Sequence, residues 1–176
     1  PNDNLKIIET PPFMRGIYAV GGFNPAPPLQ PELGAFYWLT PIPADWPRER
    51  VQSKLREYNF YGLRILTIHE AIPGHWLQFT YAAQVEPAPR RLLRSLYGDG
   101  AYIEGWAVYA TDLMVQEGYL GHDPELELTH AKQLLRAIAN AILDIRLHTM
   151  GMTDEEAMEL MIRRTFQEKE EAQAKL

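Results

Sequence analysis

The 176-residue sequence contains no cysteine, which excludes disulfides, thiolate metal sites and cysteine nucleophiles. Any metal it holds must be bound through nitrogen and oxygen. No apolar run approaches the ~20 residues of a membrane-spanning helix, so no membrane span is expected. Basic side chains are scarce, with 17 Lys and Arg against 23 Asp and Glu for a formal charge of −6. That balance argues against a nucleic-acid or anionic-membrane binder, which would present a basic face. With 46% hydrophobic and 23% charged residues, the composition is that of an ordinary globular chain rather than a disordered one. Its length suits a single domain, 1–176. The first residue is Pro1 and no signal-peptide pattern follows. The chain therefore reads as cut from something longer or lacking its start, and its localisation stays unknown.

Proline is concentrated at the front, with ten of the 14 between Pro1 and Pro47. Proline removes a backbone donor and fixes φ, so residues 1–47 are expected to form an extended arm rather than helix. Two short strands are expected in it, Arg15–Val20, ending at Gly21-Gly22, and the aromatic Ala35–Thr40, an edge strand between Pro31 and Pro41. Residues 24–31 read as a proline-rich loop. From Arg48 the pattern is helical, and helices are expected at about 48–58, 62–72, 74–84, 88–97, 101–117, 124–148 and 154–173. Asp123-Pro124 is a helix start, and Thr153 with Glu156 is a capping box. The run Glu168-Lys169-Glu170-Glu171 reads as a solvated face. The fold class is mainly α, with a short strand-and-loop arm at the N-terminus.

The chemistry concentrates in Ile65–Gln78, around His69-Glu70-Ala71-Ile72-Pro73-Gly74-His75. It starts like the zinc-peptidase motif H-E-x-x-H, whose histidines at i and i+4 share one helix face while the Glu serves as general base. Here the second histidine comes at i+6, about 240° around a straight helix, where it cannot share an ion with the first. Pro73 removes a donor and clashes with the carbonyl four residues back, and Gly74 tolerates unusual backbone angles. A break extruding about two residues would return His75 to the i+4 position. Spacing alone leaves a metal site and a Pro-kinked core helix equally open.

Glu104 is the candidate third ligand. It begins an apolar helix, and Ala101, Ile103, Ala107, Val108 and Leu113 around it suggest heavy burial, which a carboxylate tolerates only with a partner. The competing role is a carboxylate favoured by the helix N-terminus. Further on, Arg136, Asn140, Asp144 and His148 recur every fourth residue and draw one polar stripe. It either faces the site, with Asp144 orienting a ligand and His148 donating to an oxyanion, or is the wet face of the helix. His122 and His130 read as surface residues.

At these residues the sequence resembles a bacterial family catalogued as domain of unknown function 885, whose members are similar to helical zinc metallopeptidases of the thimet-oligopeptidase and carboxypeptidase Taq type. The matching pieces are His69–His75 with Leu77-Gln78, Glu104-Gly105-Trp106-Ala107-Val108-Tyr109, Leu147-His148 with Gly151 and Thr153, and Ala35-Phe36-Tyr37. They come in family order and together cover nearly all of the chain. The resemblance implies His69, His75 and Glu104 as zinc ligands, Glu70 as general base, His148 as a catalytic donor and Asp144 as a supporting group. It implies that the chain is the C-terminal catalytic portion of a longer protein, and it allows export. Trp76 departs from the pattern where the family often has a second histidine, as does Arg146, at a usually smaller position.

The expectation that follows is zinc-dependent peptide hydrolysis. Glu70 takes the proton of a metal-activated water, and His148 or Tyr109 stabilises the carbonyl oxygen. The peptide substrate pairs main chain to main chain with Ala35–Thr40, Tyr37 included. Hydrolysis of a non-peptide amide or ester, a zinc-binding fragment without activity, and a non-enzymatic helical interaction domain are the alternatives. An apolar wall left uncovered by the rest of a longer protein would favour self-association.

Overall fold

The structure is a computed structural model and describes residues 4–176. It is mainly helical, with three strands, β1 (Leu5–Glu9), β2 (Gly21–Asn24) and β3 (Ala35–Leu39). The helices are α1 (Arg48–Glu57), α2 (Phe60–Glu70), α3 (His75–Ala82), α4 (Ala88–Leu96), α5 (Gly100–Gln116), α6 (Pro124–Thr149), α7 (Asp154–Glu159) and α8 (Lys169–Gln173). Among the described residues, no helix is long and apolar enough to cross a membrane. The chain divides into two compact units, one made of residues up to Ile42 with Ile65–Gln116, the other of Pro43–Arg64 with Glu117–Leu176.

The first unit holds the sheet, in strand order β1-β3-β2, with β1 parallel and β2 antiparallel to β3. The aromatic strand is thus central, not at the edge. Its flanking prolines fall outside it, so every donor within Ala35–Leu39 can pair, and Ala35, Tyr37 and Trp38 are buried. Arg15–Val20 is not a strand. Ile17 and Tyr18 donate back to the Met14 carbonyl at 3.0 and 2.9 Å, which curls the chain into a turn after Pro12–Met14. The strand begins where that turn ends, at Gly21-Gly22. A β-carbon on Gly22 would lie 2.5 Å from the Tyr18 ring, so a side-chain-free residue lets β2 lie against the turn. The hydrophobic strand β1 was not anticipated.

In the second unit, Leu143, Met152, Ala157, Met161 and Ala172 form the core, with Leu147, Met158, Leu160 and Ile162 packed on it. Asp123 caps α6 by accepting the Glu125 amide, and Thr153 and Glu156 form the expected capping box. The expected single helix 154–173 is instead broken. Leu160–Arg164 is a π-helical turn, and Phe166 takes a left-handed φ of 56°. This reversal carries α8 back to α1. Glu168 accepts from Ser53 and Arg56, while Glu171 accepts from Tyr58 and Arg136. Residues 168–171 are therefore a tether and not a solvated face. His122 is exposed, but His130 is buried, because it sits one turn after the fully buried Leu126 on the inner face of α6.

Candidate metal centre

The end of α2 is anchored from both sides. Ile65 and Ile68 are buried, and the Thr67 hydroxyl meets the Tyr37 hydroxyl at 3.3 Å. This fixes the rotation of the helix and so the direction in which His69 and Glu70 leave it. Tyr37 is 1% exposed. It braces α2 against the sheet, and burial raises its phenol pKa.

Between α2 and α3 the regular pattern fails as the spacing requires. The Ala71 amide still bonds four back, to Thr67, but the Gly74 amide reaches six back, to the Ile68 carbonyl at 3.0 Å. Two extra residues are thereby looped out. A β-carbon on Gly74 would lie 1.8 Å from the His69 carbonyl oxygen and 2.4 Å from that of Ile68, so only glycine allows the close approach. Trp106 of α5 closes the break, with Nε1 donating to the Pro73 and Gly74 carbonyls at 3.0 and 3.2 Å. His75 then opens α3 with its ring centroid 4.7 Å from that of His69.

Glu104 lies two residues before Trp106 on α5 and meets both histidines. Its Oε2 is 3.4 Å from His69 Nε2 and 3.6 Å from His75 Nε2. All three ligand atoms lie within 4.8 Å of one another. Ligands about 2.1 Å from one tetrahedral zinc stand roughly 3.4 Å apart, so the donor set and its spacing fit such an ion. The expected burial of Glu104 is not seen, since its side chain is 66% exposed. Helix α5 buries the strip Ala107, Ala110, Thr111 and Val115, whereas Val108 and Leu113 are themselves exposed.

Burial pulls both imidazoles below the ordinary histidine pKa, His75 lowers His69 further, and the Glu104 carboxylate opposes the shift in each. Near pH 7 they are neutral, the form that offers a lone pair to a metal. His75 Nδ1 and the Gln78 amide oxygen, one turn on, are both buried, and Gln78 joins Glu104 in opposing the downward shift of His75. The Glu70 carboxyl is pushed up to about 7, chiefly by burial and less by Glu104, against the lowering effect of a hydrogen bond from the Phe23 amide. That bond, from Phe23 N to Glu70 Oε2 at 2.8 Å, leaves the free edge of the sheet, because β2 is an outer strand. The Phe23 ring stacks on His75 with centroids 6.2 Å apart.

The structure thus brings together His69, Glu70, His75 and Glu104. Tyr109 is on the same helix as Glu104, 57% exposed, its ring tilted against Trp106. Asp144 and His148 belong to the second unit and are exposed at 79% and 74%, with His148 Nδ1 3.4 Å from Asp144 Oδ1. Trp76 is buried and donates to Asn4. Phe23 was missed from sequence, since nothing in Gly-Gly-Phe-Asn announces that a backbone amide serves the site. Trp106 was visible only as a neighbour of Glu104.

Over residues 1–176 the sequence matches a family described as "Bacterial protein of unknown function (DUF885)". The chain belongs to the DUF885 family. Among solved structures, this DUF885 chain is similar to a candidate lipoprotein of unknown function from Shewanella oneidensis, with a TM-score of 0.78 and 41% identity over 99% of this chain. It is also similar to a candidate lipoprotein from Colwellia psychrerythraea, with a TM-score of 0.77 and 25% identity over 99% of this chain. The match covers 30% and 28% of those two proteins, so the DUF885 chain spans under a third of their length. No curated protein matches it.

Proposed function

We propose that this chain carries the zinc-binding and proton-transferring part of a metal-dependent peptidase. The observation that carries the reading is the convergence of His69, His75 and Glu104 at ligand–ligand distances of 3.4 and 3.6 Å around a helix break that only this spacing requires. Zinc, when bound, lowers the pKa of a coordinated water toward neutrality and polarises a carbonyl. His69 and His75 would hold it through Nε2, and Glu104 through a carboxylate oxygen. Glu70, adjoining His69 in the chain, takes the proton of the attacking water and returns it to the leaving amine. The Phe23 amide fixes one of the Glu70 oxygens.

The peptide is assigned to the free edge of β2 and not to β3, which is paired on both sides. An extended chain added there would run beside Glu70. The donor to the developing oxyanion is assigned to Tyr109, on the same helix as Glu104, and Tyr109→Phe tests it.

The test is zinc content after dialysis, for this chain and its His69→Ala variant, followed by hydrolysis of a mixed peptide pool. About one zinc per chain, lost in the variant, with cleavage abolished by Glu70→Gln while zinc is retained, supports the proposal. Absence of zinc after supplementation, or cleavage insensitive to Glu70→Gln, refutes it. The full-length Shewanella relative serves as a parallel subject, because it is more than three times as long.

A further inference from the structure

The first unit contains a cavity of about 650 Å³ beside the metal cluster. Pro27 and Pro28 of the proline-rich loop line it, with Trp76 and Phe79 of α3. Its separation from the cluster is a single ring, because Phe23 stacks on His75 and also lies against Phe79, with centroids 5.5 Å apart.

Among the described residues, three charged ones reach the cavity, Arg91, Arg94 and Asp99. Asp99 is committed to the start of α5, where its Oδ1 accepts the Ala101 and Tyr102 amides at 3.0 and 3.4 Å. Arg91 donates through Nη1 to the Ala83 carbonyl and to Glu86, and its Nε is buried with no partner among the described residues. Arg94 has no carboxylate within ion-pair distance among the described residues, and its guanidinium lies 5.7 Å from the Tyr102 ring centre. The cavity is thus apolar in its body and carries unspent positive charge on one side. Its complement is an apolar group bearing an anion.

We infer that this cavity receives the carboxy-terminal residue of a peptide, with a bulky apolar side chain against Trp76 and Phe79 and the free carboxylate on Arg94 and the unpaired Nε–H of Arg91. The inference rests on the peptidase reading and narrows its substrate class. Phe23 is a wall shared with the cluster, whose own residues do not line the cavity.

Binding separates this idea from catalysis. The chelator-treated chain is titrated with acetyl-Ala-Ala-Phe, its carboxamide and acetyl-Ala-Ala-Ser, following tryptophan fluorescence, which Trp76 reports. The acid is expected to bind about ten-fold more tightly than the amide, the difference made by one charge-assisted contact. Arg94→Gln, an exposed position on α4, should bring acid and amide to within two-fold of each other without changing the circular dichroism. Ala83→Phe, which fills the cavity, should abolish binding of both. Acid and amide bound equally by the unaltered chain, Ser preferred to Phe, or no saturable binding would each overturn the inference. Zinc content and the Glu70→Gln comparison are read separately, so loss of the peptidase reading leaves a distinct signature.

Discussion

The indole of Trp106 is bonded to the carbonyls of Pro73 and Gly74, at 3.0 and 3.2 Å. Two residues upstream on the same helix, Glu104 meets His69 and His75. One helix therefore supplies a candidate ligand and also the clamp that shapes the other two candidates. Trp106→Phe keeps an aromatic ring, smaller than the indole, and removes both bonds. The expected outcome is a zinc affinity about 10–100-fold weaker, the range for groups that orient ligands, with little change in the helix content seen by circular dichroism. A competition titration against a chromophoric chelator measures it. Unaltered affinity would mean that the break holds its form without the clamp.

Gly74 is the most constrained position of the break. With a β-carbon 1.8 Å from a backbone oxygen, Gly74→Ala cannot be absorbed by a rotamer change. The backbone itself must move. We expect destabilisation of about 3–5 kcal/mol, at the upper end for single substitutions, together with loss of stoichiometric zinc. Denaturant unfolding and metal analysis of the same sample check both parts. Gly105→Ala is the control, since a β-carbon there meets nothing within 4 Å.

These two positions also show what the sequence could reveal. The break was legible because a six-residue spacing has one geometric remedy and Pro73-Gly74 provides it. Glu104 was singled out for an incomplete reason. Apolar neighbours promised a buried Glu104, but several of those neighbours are exposed, and the side chain meets its partners at an open end of α5. The sheet was read poorly, because pairing is a non-local choice. Residues 15–20 have strand-like composition yet close locally on Met14, while Gly21–Asn24 has low strand propensity and pairs with β3 all the same. The reversal at Phe166 carries no glycine or proline to mark it. Of the stripe of Arg136, Asn140, Asp144 and His148, the last three are exposed while Arg136 is half-buried on Glu171, and a helical period cannot say what such a face meets.

In the second unit, Glu57 is an ion-pair partner with almost no solvent. Its side chain is 1% exposed and meets Lys132 Nζ at 2.8 Å, and the Glu168 amide donates to the same oxygen at 2.9 Å. Its other oxygen has no partner among the described residues. Lys132→Met removes the cation and leaves the carboxylate to the interior, which costs about 2–4 kcal/mol once the partial exposure of Lys132 is allowed for. Adding Glu57→Gln should recover part of that loss, because the amide tolerates burial better than an unpaired charge. A double-mutant cycle in urea reads the coupling. Additive losses would show that the pair is not what secures α1 against the α8 segment.

Lys175 ties the chain end to the same unit, donating to Asn140 and Gln167. Burial, aided by Arg136 and opposed by Glu171 and Glu57, pushes its pKa down from 10.5 to about 8. The folded state therefore disfavours the ammonium. Below about pH 8 both states are protonated and the full penalty applies. Between about 8 and 10.5 the folded lysine has released its proton while the unfolded one keeps it. The unfolded state then binds more protons, and stability rises with pH through that window. Lys175→Gln removes the titration, so the variant should be relatively most stable near pH 7 and lose that advantage by pH 10. Urea midpoints of both proteins at pH 7, 8.5 and 10 give the comparison. A difference that stays constant across the three would show that the Lys175 ammonium is accommodated in the fold without penalty.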